Sequence, residues 1–423
     1  MTHRDYLLSL ESIGIKLGLD QIRALLAQLD HPERRLRTIL VAGTNGKGSV
    51  TALVEHGLRA AGVRTGRYTS PHLIDLEERF AVDGRAVTAA TLDAALGRVR
   101  EAAGGLESPP SFFEATTAAA LAIFQEADVH VAVLEVGLGG RLDATNVTRP
   151  EAVAITQVAR DHEALLGGSL DAIAREKAGV IHEGSLVVLA PNPPEVERAV
   201  RAAVVAERAS LVLARDDVTA EATMVDGLTH LTLATPAREY AGVRLALRGR
   251  HQIDNAIVAT RLLEAMTAAG LAEVPAAAIR AALEDVSWPV RLDLRTWRGR
   301  PVLIDGAHNP AGAASLAAYV LEAWDRPLPM VVAILKDKNV DEMLAALAPA
   351  ASRLIFTAPA SSRAARPADL AARAAALVPE LPVAVADRPA DALALAAESA
   401  GADAPVVVAG SLYLAGELLA DLA

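Results

Sequence analysis

The sequence predicts an α/β protein with two doubly wound domains. Short apolar segments such as TILVA, HVAVLEV and SLVVLA alternate with alanine- and leucine-rich segments of helical periodicity. Near-continuous apolar strands that alternate with helices are typical of parallel sheets covered on both faces. The alternation breaks at Trp288-Pro289 and resumes at PVLIDG. We therefore expect an N-terminal domain at residues 1–287 and a smaller C-terminal domain at residues 288–423.

The individual elements follow from their periodicity. In the N-terminal part, strands are predicted at TILVA, RTGRYT, HVAVLEV, AVAITQV and SLVVLA, with helices at 47–61, 88–103, 112–126 and 169–180. SLVLARDDV and LTHLTLAT alternate in β fashion around VDG, which predicts a small hairpin insertion between residues 208 and 248. Helices are predicted again at 251–269 and 275–285. The C-terminal domain adds strands at PVLIDG, LPMVVAIL, SRLIFTA and PVVVAG.

Composition excludes several classes of function. The formal net charge of −11 over 423 residues argues against a nucleic-acid-binding surface, which has to be basic. The chain has no cysteine, so disulfides, thiolate zinc sites and cysteine nucleophiles are excluded. The N-terminus lacks the apolar core of a signal peptide, and no uncharged apolar segment is long enough to span a bilayer. We expect a cytoplasmic protein without a membrane partner.

The segment after TILVA indicates a phosphate-binding loop. It consists of seven residues: Gly43, Thr44, Asn45, Gly46, Lys47, Gly48 and Ser49. The glycines allow a tight turn, the following helix presents its N-terminus, and the lysine supplies charge for phosphates. The usual pattern has a glycine where Val41 stands and a hydroxyl residue where Gly48 stands. A plain glycine-rich turn is the alternative.

Three other predicted strands end in residues that can bind a metal ion. RTGRYT leads to Ser70, HVAVLEV ends near Glu135, and AVAITQV leads to His162. Ligands of parallel sheets bind at the carboxyl ends of strands, so these residues and the loop should share one edge. A carboxylate at the end of a buried strand is costly unless it meets a cation such as Mg²⁺. Glu135 could instead cap a turn, and His162 and Ser70 could be ordinary loop residues.

The second half offers a similar cluster. Asp305 and His308 follow the strand PVLID, and Asn255 and Arg291 flank the boundary between the two predicted domains. An amide and an arginine there could bind a base or a phosphate, or could simply lie on the surface. Alternatively, DGAHNP is a strand-to-helix turn with a capping asparagine. On chemistry alone, Lys177 in the helical segment IAREKAGVI is predicted to be a solvated lysine on a helix surface.

These motifs, taken in order, resemble the folylpolyglutamate synthase and dihydrofolate synthase family of the Mur-ligase superfamily. The resemblance rests on GIKLGLDQI, VAGTNGKGS, TSPHL, SFFEATTAA, EVGLGGRLDATN, EKAGVI, RGRHQIDNA, WPVRLDL, DGAHNP and GSLYLAGE. It implies a P-loop ATPase-like N-terminal domain of the Mur-ligase central type and a Rossmann-like C-terminal ligase domain. It further implies an ATP-dependent ligase of folate biosynthesis and one-carbon metabolism. Such an enzyme joins L-glutamate to dihydropteroate or to the glutamate tail of reduced folates through an acyl phosphate.

The resemblance also assigns roles to residues. It implies ATP with Mg²⁺, two ions being expected, and a carbamate formed from CO₂ on Lys177. Catalytic roles would fall to Lys47, His162 and Lys177, and metal binding to Ser70, Glu135, His162 and carbamylated Lys177. ATP would contact the loop from Gly43 to Ser49 and also Asn255, Arg291, Asp305 and His308. The pterin or pteroate would contact Gly14, Ile15, Lys16, Leu17, Ser111, Phe112, Phe113, Glu114, Leu142, Asp143 and Ala144. A monomer acting on small molecules is implied.

Two positions depart from the family pattern. Val290 stands where similar proteins carry glycine before the arginine of WPVRLDL, and Arg160 precedes Asp161 and His162 where an apolar residue is common. Two other functions remain open. A cell-wall Mur ligase uses the same chemistry, although only about forty residues precede the loop here, which is short for a separate UDP-binding domain. A regulatory ATPase without ligase activity is the second.

Overall fold

The computed structural model describes residues 2–14, 16–401, 404–420 and 422. The chain forms two compact units. The first comprises Met1–Glu221, Thr232–Val243 and Ile253–Val286, and the second comprises Ala222–Leu231, Arg244–Gln252 and Ser287–Ala423. No helix in these described ranges is both long enough and apolar enough to cross a membrane.

The helices alternate with strands along most of the chain. They are α1 His3–Ser9, α2 Asp20–Gln28, α3 Lys47–Ala60, α4 Ala89–Ala103, α5 Phe112–Glu126, α6 Glu163–Leu166, α7 Leu170–Ala178, α8 Pro194–Ala206, α9 His251–Ala268, α10 Ala276–Asp285, α11 Pro310–Trp324, α12 Val340–Leu347, α13 Pro367–Leu377, α14 Pro389–Ser399 and α15 Leu412–Leu419. The predicted helices at 47–61, 88–103, 112–126 and 251–269 are confirmed within one residue at each end.

The strands form three sheets. They are β1 Arg37–Ala42, β2 Thr65–Tyr68, β3 Phe80–Val82, β4 Arg85–Ala86, β5 Val131–Glu135, β6 Ala152–Ile155, β7 Leu186–Leu189, β8 Ser210–Leu213, β9 Thr219–Val225, β10 Leu228–Ala234, β11 Glu239–Arg244, β12 Asp293–Trp297, β13 Arg300–Ile304, β14 Leu328–Val332, β15 Ala351–Phe356, β16 Val383–Val385 and β17 Val406–Ala409. The large sheet has the order β4-β3-β2-β5-β1-β6-β7-β8. All of its strands run in the same direction except β3, which pairs antiparallel with β2 and with the edge strand β4.

Both faces of the large sheet are buried, as predicted from the continuous apolar strands. On one face, Leu40 and Leu134 pack in a core with α4 and α5. On the other face lies α3, which packs closely against α9 and α10. A Cβ at Gly57 of α3 would lie 2.5 Å from Leu263 and 3.5 Å from Ala282. Helices therefore cover the sheet on both sides, and its strand ends remain available for loops.

The β insertion is confirmed, but its composition differs from the prediction. The three-stranded sheet has the order β11-β10-β9, and the VDG turn joins β9 to β10, with Asp226 and Gly227 at φ of 51° and 70°. The segment SLVL, predicted to belong to the hairpin, is β8 and forms the last strand of the large sheet. The sequence pattern did not separate the two cases, because this four-residue apolar segment directly precedes the insertion and its residues are exposed or partly buried, as in either kind of strand.

The second unit contains a six-stranded sheet of order β12-β13-β17-β14-β15-β16. Its strands are parallel except β12, which pairs antiparallel with β13. The four predicted C-terminal strands are confirmed as β13, β14, β15 and β17. The tip of the insertion belongs to this unit, because Tyr319 on α11 donates a hydrogen bond from its hydroxyl to Gly227 O at 2.9 Å.

Candidate active site

Four neighbouring strands of the large sheet carry the predicted polar residues at their carboxyl ends. In the order β2, β5, β1 and β6, they lead to Ser70, Glu135, the glycine loop and His162. The strands are parallel, so their carboxyl ends meet along one edge of the sheet. The sequence-based expectation that these groups share an edge agrees with the fold.

The glycine loop from Gly43 to Ser49 is shaped by two glycines with positive φ. Gly43 has φ of 145°, and a Cβ there would overlap the hydroxyl of Thr156. Gly46 has φ of 89°, and a Cβ there would overlap the side-chain amide of Asn255. Any other residue at either position would suffer both backbone strain and steric overlap. The loop therefore runs tightly between β6 and α9 before α3 begins at Lys47.

The first half of this loop is tied to the segment after β6. The amides of Thr44 and Asn45 both donate to Gln157 O, at 2.7 and 3.2 Å. The hydroxyl of Thr44 donates to Ala159 O and accepts from Ala159 N, both at 3.0 Å. The amides at the start of α3 lack intrahelical acceptors. The helix N-terminus from Gly46 onward is thus the part of the loop suited to an anion, rather than the amides of Thr44 and Asn45.

Two lysines donate to successive carbonyl oxygens of the loop. Lys177 Nζ lies 2.7 Å from Gly43 O, and Lys47 Nζ lies 3.0 Å from Thr44 O. Lys177 is only 5% exposed, so the prediction of a solvated lysine on a helix surface is wrong. Burial, reinforced by the charge of Lys47, lowers the pKa of Lys177 to about 7. A large fraction of this amine is therefore neutral at physiological pH.

Glu135 lies buried at the end of β5, next to the loop after β2. Its carboxylate accepts a hydrogen bond from Ser70 N at 3.3 Å. Arg67 on β2 approaches the same region and pairs with buried Glu55 at 3.7 Å. Ser49, in the first turn of α3, is also buried, and its hydroxyl has no hydrogen-bond partner within the described ranges. Two serine hydroxyls thus lie near the loop.

His162 immediately precedes the short helix α6. It has φ of 53°, its backbone amide donates to Asp161 Oδ1 at 2.9 Å, and its ring Nε2 lies 3.8 Å from the same oxygen. The side chain is partly exposed, unlike that of Glu135. His162 is therefore held by its neighbour at the carboxyl end of β6 with its ring accessible to solvent.

Ser111 and Glu114, two of the residues assigned to the substrate pocket, form a capping box at the start of α5. Ser111 Oγ accepts from Glu114 N at 3.2 Å, and Glu114 Oε2 accepts from Ser111 N at 2.8 Å. Between them, Phe112 lies 5.1 Å from the guanidinium of Arg79, and Phe113 packs against Tyr68. The polar pair positions the helix, and the two partly buried rings supply the flat apolar surface.

The glycine-rich loop after β5 is held by Asp143. Its carboxylate accepts from Leu138 N at 2.9 Å and from the amide and hydroxyl of Thr145 at 3.0 and 2.6 Å. Burial raises the pKa of Asp143, although these hydrogen bonds act in the opposite direction. Leu142 and Ala144 flank it. Asp143 therefore organises the loop on which these proposed substrate residues lie.

The N-terminal candidates lie in a loop after α1. Gly14 has φ of 74°, Lys16 Nζ donates to Pro109 O at 3.1 Å, and Leu17 is 47% exposed. Ile15 lies outside the described residues. The contact with Pro109 brings this loop beside the segment that enters α5, where Ser111 and Phe112 lie.

In the second unit, Asp305 anchors the segment around Arg291. Its two carboxylate oxygens accept from Leu292 N at 2.9 Å and from Ala307 N at 2.8 Å. Val290 and Leu292 have φ of 59° and 48°, which is unfavourable for branched side chains. Val290 O accepts from Arg291 Nη1 at 2.8 Å and from the amide of Gly306 at 3.0 Å. The residue before Arg291 is thus a buried valine with an unfavourable φ.

The turn after β13 also matches the simpler of the two sequence interpretations. Asn309 caps α11, its Oδ1 accepting from Gly312 N at 2.9 Å, and Pro310 is the first residue of the helix. The ring Nδ1 of His308 lies 2.8 Å from Gly306 O. The capping role of Asn309 is confirmed, and His308 is fixed beside the start of the helix.

Several residues that shape the site escaped the sequence analysis. Gln157 and Ala159 bind the glycine loop, and Asn192 bridges the same segment by accepting from Val158 N and donating to Thr156 O. Gln157 was available to the sequence argument, because it is a polar residue at the carboxyl end of a predicted strand. Asn192 had the same signal, because it lies just after the predicted strand SLVVLA.

Comparisons with known proteins cover both units. The family model described as Mur ligase middle domain matches residues 41–263, and the model described as dihydrofolate synthetase, C-terminal domain, matches residues 290–421. The chain is similar to the dihydrofolate synthase/folylpolyglutamate synthase of Bacillus subtilis (strain 168), with 33% identity over 351 residues that cover 81% of each chain. The corresponding protein of Mycobacterium tuberculosis (strain ATCC 25618 / H37Rv) is 38% identical over 370 residues, 82% of this chain and 75% of the relative.

Solved structures give the same result over nearly the full length. The folylpolyglutamate synthase of Mycobacterium tuberculosis complexed with ADP and AMPPCP superposes with a TM-score of 0.91 at 34% identity, covering 99% of this chain and 98% of that chain. E. coli FolC in complex with DHPP and ADP superposes with a TM-score of 0.88 at 27% identity, covering 99% and 97%.

Proposed function

Because the chain belongs to the dihydrofolate synthase/folylpolyglutamate synthase family of Mur ligases, we propose that it is an ATP-dependent glutamate ligase. It joins L-glutamate to dihydropteroate, to the glutamate tail of reduced folates, or to both. The acceptor carboxylate attacks the γ-phosphate of ATP, giving an acyl phosphate and ADP. The amine of glutamate then attacks the acyl carbon, and phosphate leaves. Relatives solved with ADP and AMPPCP support the nucleotide.

The observation that carries this proposal is the edge formed by β2, β5, β1 and β6. A glycine loop, a buried carboxylate and two lysines meet there, which suits the approach of two anions. Lys47 supplies positive charge beside the loop, and the N-terminus of α3 supplies oriented amides. These groups hold the triphosphate in place and reduce its repulsion of the attacking carboxylate.

The proposed Mg²⁺ would be held with the help of the nucleotide. Within the described ranges, no group of three or more histidine or acidic side chains could hold a metal ion. Mg²⁺ usually takes one or two carboxylates and completes its coordination with phosphates and water. Glu135 and Ser70 offer oxygen ligands of the right kind, and His162 lies at the same edge. The ion would neutralise phosphate charge.

Lys177 is proposed to carry a carbamate. Carbamylation needs a neutral amine, which adds to CO₂ and releases a proton. Burial provides that neutral amine, since it lowers the pKa of Lys177 to about 7. The carbamate nitrogen keeps one N–H, so the hydrogen bond to Gly43 O can persist. The new carboxylate would add an anionic oxygen ligand beside the loop.

Of the remaining proposed contacts, Asn255 lies against Gly46 of the loop. Arg291, Asp305 and His308 are proposed to contact ATP as well. The geometry of Asp305 limits this role, because both of its carboxylate oxygens already accept backbone amides. The enzyme is further proposed to act in the cytoplasm and to be a monomer. Sedimentation of the purified protein would test the oligomeric state.

The proposal is tested by one assay of ADP release with Mg²⁺ and L-glutamate. Dihydropteroate, tetrahydrofolate and a UDP-muramoyl acceptor are compared. We expect release with dihydropteroate, tetrahydrofolate or both, and only when glutamate is present. Release with the UDP-muramoyl acceptor alone would indicate a cell-wall ligase. ADP release that is the same with and without acceptor and glutamate would indicate a regulatory ATPase.

A further inference from the structure

The loop after β5 and the C-terminal end of α7 interlock closely. A Cβ at Gly140 would lie 2.6 Å from Glu176 O and 2.9 Å from Lys177 O, and a Cβ at Gly179 would overlap Arg141. The amide of Arg141 donates to Glu176 O at 2.8 Å, and its guanidinium pairs with the carboxylate of Glu176 at 2.7 Å. The two backbones approach so closely that glycine is required on each side.

Asn146 joins the two sides of this interlock. It is 4% exposed, and its Nδ2 donates to Arg141 O at 3.1 Å and to Gly179 O at 3.0 Å. Two carbonyl acceptors on one side fix the orientation of the amide, because the reversed orientation would set oxygen against oxygen. Oδ1 then faces His182 Nε2 at 2.9 Å. The proton of a neutral His182 must therefore be on Nε2, and burial lowers the pKa of His182.

Lys177 lies between the two carbonyl groups that this interlock binds. The last carbonyls of a helix have no intrahelical donor, so the final turn opens easily unless outside groups bind it. In α7, Arg141 binds Glu176 O and Asn146 binds Gly179 O, one on each side of Lys177. The Lys177 side chain extends from this turn to Gly43 O. A small rotation of the turn would move Nζ away from the glycine loop.

We propose that Asn146 is a positioning residue for Lys177. By fastening the loop after β5 to the end of α7, it holds Lys177 Nζ at the carbonyl oxygen of Gly43. This inference rests on the function proposed for Lys177, and Asn146 itself has no part in the chemistry.

The test is a double-mutant cycle on ADP release. Asn146→Asp keeps the size of the side chain and the acceptor for His182, but removes both donors. It is measured in the native background and in Lys177→Ala supplied with acetate. In the native background we expect kcat to fall about 10- to 100-fold, with the KM for ATP little changed. In the acetate-supplied background the same substitution should have almost no effect, because the group it positions is gone.

An equal loss in both backgrounds, or an unchanged kcat, overturns the proposal. Lys177→Ala with full activity and no acetate would instead reject the role of Lys177, so the two failures are distinguishable. If acetate restores no activity to Lys177→Ala, the proposal is tested by amide hydrogen exchange instead. The Arg141 amide should exchange faster in Asn146→Asp, and unchanged exchange with a reduced kcat overturns the proposal.

Two further variants separate positioning from general loss of stability. Asn339→Ala removes the cap of α12 in the second unit, where Asn339 Oδ1 accepts from Glu342 N. It should lower the unfolding temperature without changing kcat or the exchange of Arg141. His182→Ala leaves both donors of Asn146 in place and should give a smaller loss of kcat. A larger loss than in Asn146→Asp would show that His182, not Asn146, matters.

Discussion

The first and second units each end a central strand in a polar turn, yet the two turns are built differently. After β1, glycines occupy the positions with positive φ, and side chains of Lys47 and Lys177 bind the loop carbonyls. After β13, Asp305 binds backbone amides around Arg291, and the strained positions hold Val290 and Leu292. In the first turn cationic side chains are gathered around the loop, whereas in the second the carboxylate is used to hold the chain.

The comparison shows that a polar residue at a strand end has two possible uses. Lys177 is a buried amine with a depressed pKa near a loop suited to anions, and its environment favours a chemical role. Asp305 is equally buried, but its hydrogen-bonding capacity toward the backbone is occupied. Residue type and strand position alone do not separate the two cases. The hydrogen-bond partners do.

Removing the amine of Lys177 should have the largest effect. We expect Lys177→Ala to lower kcat about 100-fold or more, because an anionic ligand beside the phosphates is lost. Added acetate or formate should restore part of the rate. Lys177→Arg keeps a cation that cannot be carbamylated. It should be as inactive as Lys177→Ala, and added acetate should not restore its rate. Near-normal turnover in Lys177→Ala would show that Lys177 only holds the chain in place.

The glycine requirement of the first turn is tested by Gly43→Ala. The new Cβ would overlap Thr156 and force an unfavourable φ, so we expect a loss of about 2–3 kcal/mol in the free energy of unfolding. Gly62→Ala is the matched control. Gly62 also has positive φ, at 83°, but nothing lies within 4 Å of its Cβ position, so about 1 kcal/mol should be lost. Equal losses in denaturant titrations would contradict the role of Thr156.

The two serines near the loop should differ in their effect on Mg²⁺. Ser70→Ala should raise the Mg²⁺ concentration required for half-maximal ADP release about tenfold. Ser49→Ala should change it little and should not destabilise the fold, because the Ser49 hydroxyl is buried without a partner in the described part of the chain. The reverse ranking would move the metal ligand from the loop after β2 to α3.

Lys177 also makes the stability of the protein depend on pH. The pKa of Lys177 is about 7 in the folded protein, whereas a solvated lysine, as in the unfolded chain, has a pKa of 10.5. Between these values the unfolded chain binds more protons, so the free energy of unfolding rises with pH, by at most about 1.4 kcal/mol per pH unit. Denaturant titrations from pH 7 to 9 in CO₂-free buffer should show this rise relative to Lys177→Met. Parallel profiles of the two proteins would exclude the depressed pKa.

The smallest effect is expected at Val290, where the second turn lacks its glycine. Val290→Ala loses buried apolar surface and keeps the strained φ of 59°. Val290→Gly loses the same surface but removes the strain, so it should be more stable than the alanine variant by about 1 kcal/mol. At ordinary positions glycine is the less stable of the two. A more stable alanine variant would show that the strain is negligible.

Much of the fold was predictable because its signals are local. Parallel strands buried on both faces, such as β1 and β5, are continuous apolar runs, and α5 was predicted with its observed bounds. The edge strand β8 was assigned to the insertion, since a short apolar segment next to the insertion does not indicate which sheet it joins. The strands β12 and β16 were also missed. The sequence DLRTW of β12 has no apolar run, although its hairpin with β13 is local, and β16 is a three-residue strand that pairs with the more distant β15.

The candidate site was predictable in outline. The rule that ligands bind at the carboxyl ends of parallel strands was enough to bring Ser70, Glu135 and His162 to one edge. The burial of Lys177 was beyond that rule, because it depends on a contact 134 residues away in sequence. The capping box of Ser111 and Glu114 could have been recognised from its spacing. The bonds from Thr44 and Asn45 to Gln157 were not predicted, although Gln157 lies at the carboxyl end of a predicted strand.

The hydrogen bond between Lys177 and Gly43 has a consequence for protein synthesis. The ribosome releases the glycine loop early, but the lysine that binds it follows 134 residues later. At about 5–20 residues per second, this corresponds to a delay of roughly 7–27 s. Throughout that interval the glycine-rich segment lacks Lys177 and Asn255, and Gln157 is added only near its end. The loop therefore gains these partners one after another, and the last of them, Asn255, is added well after Lys177.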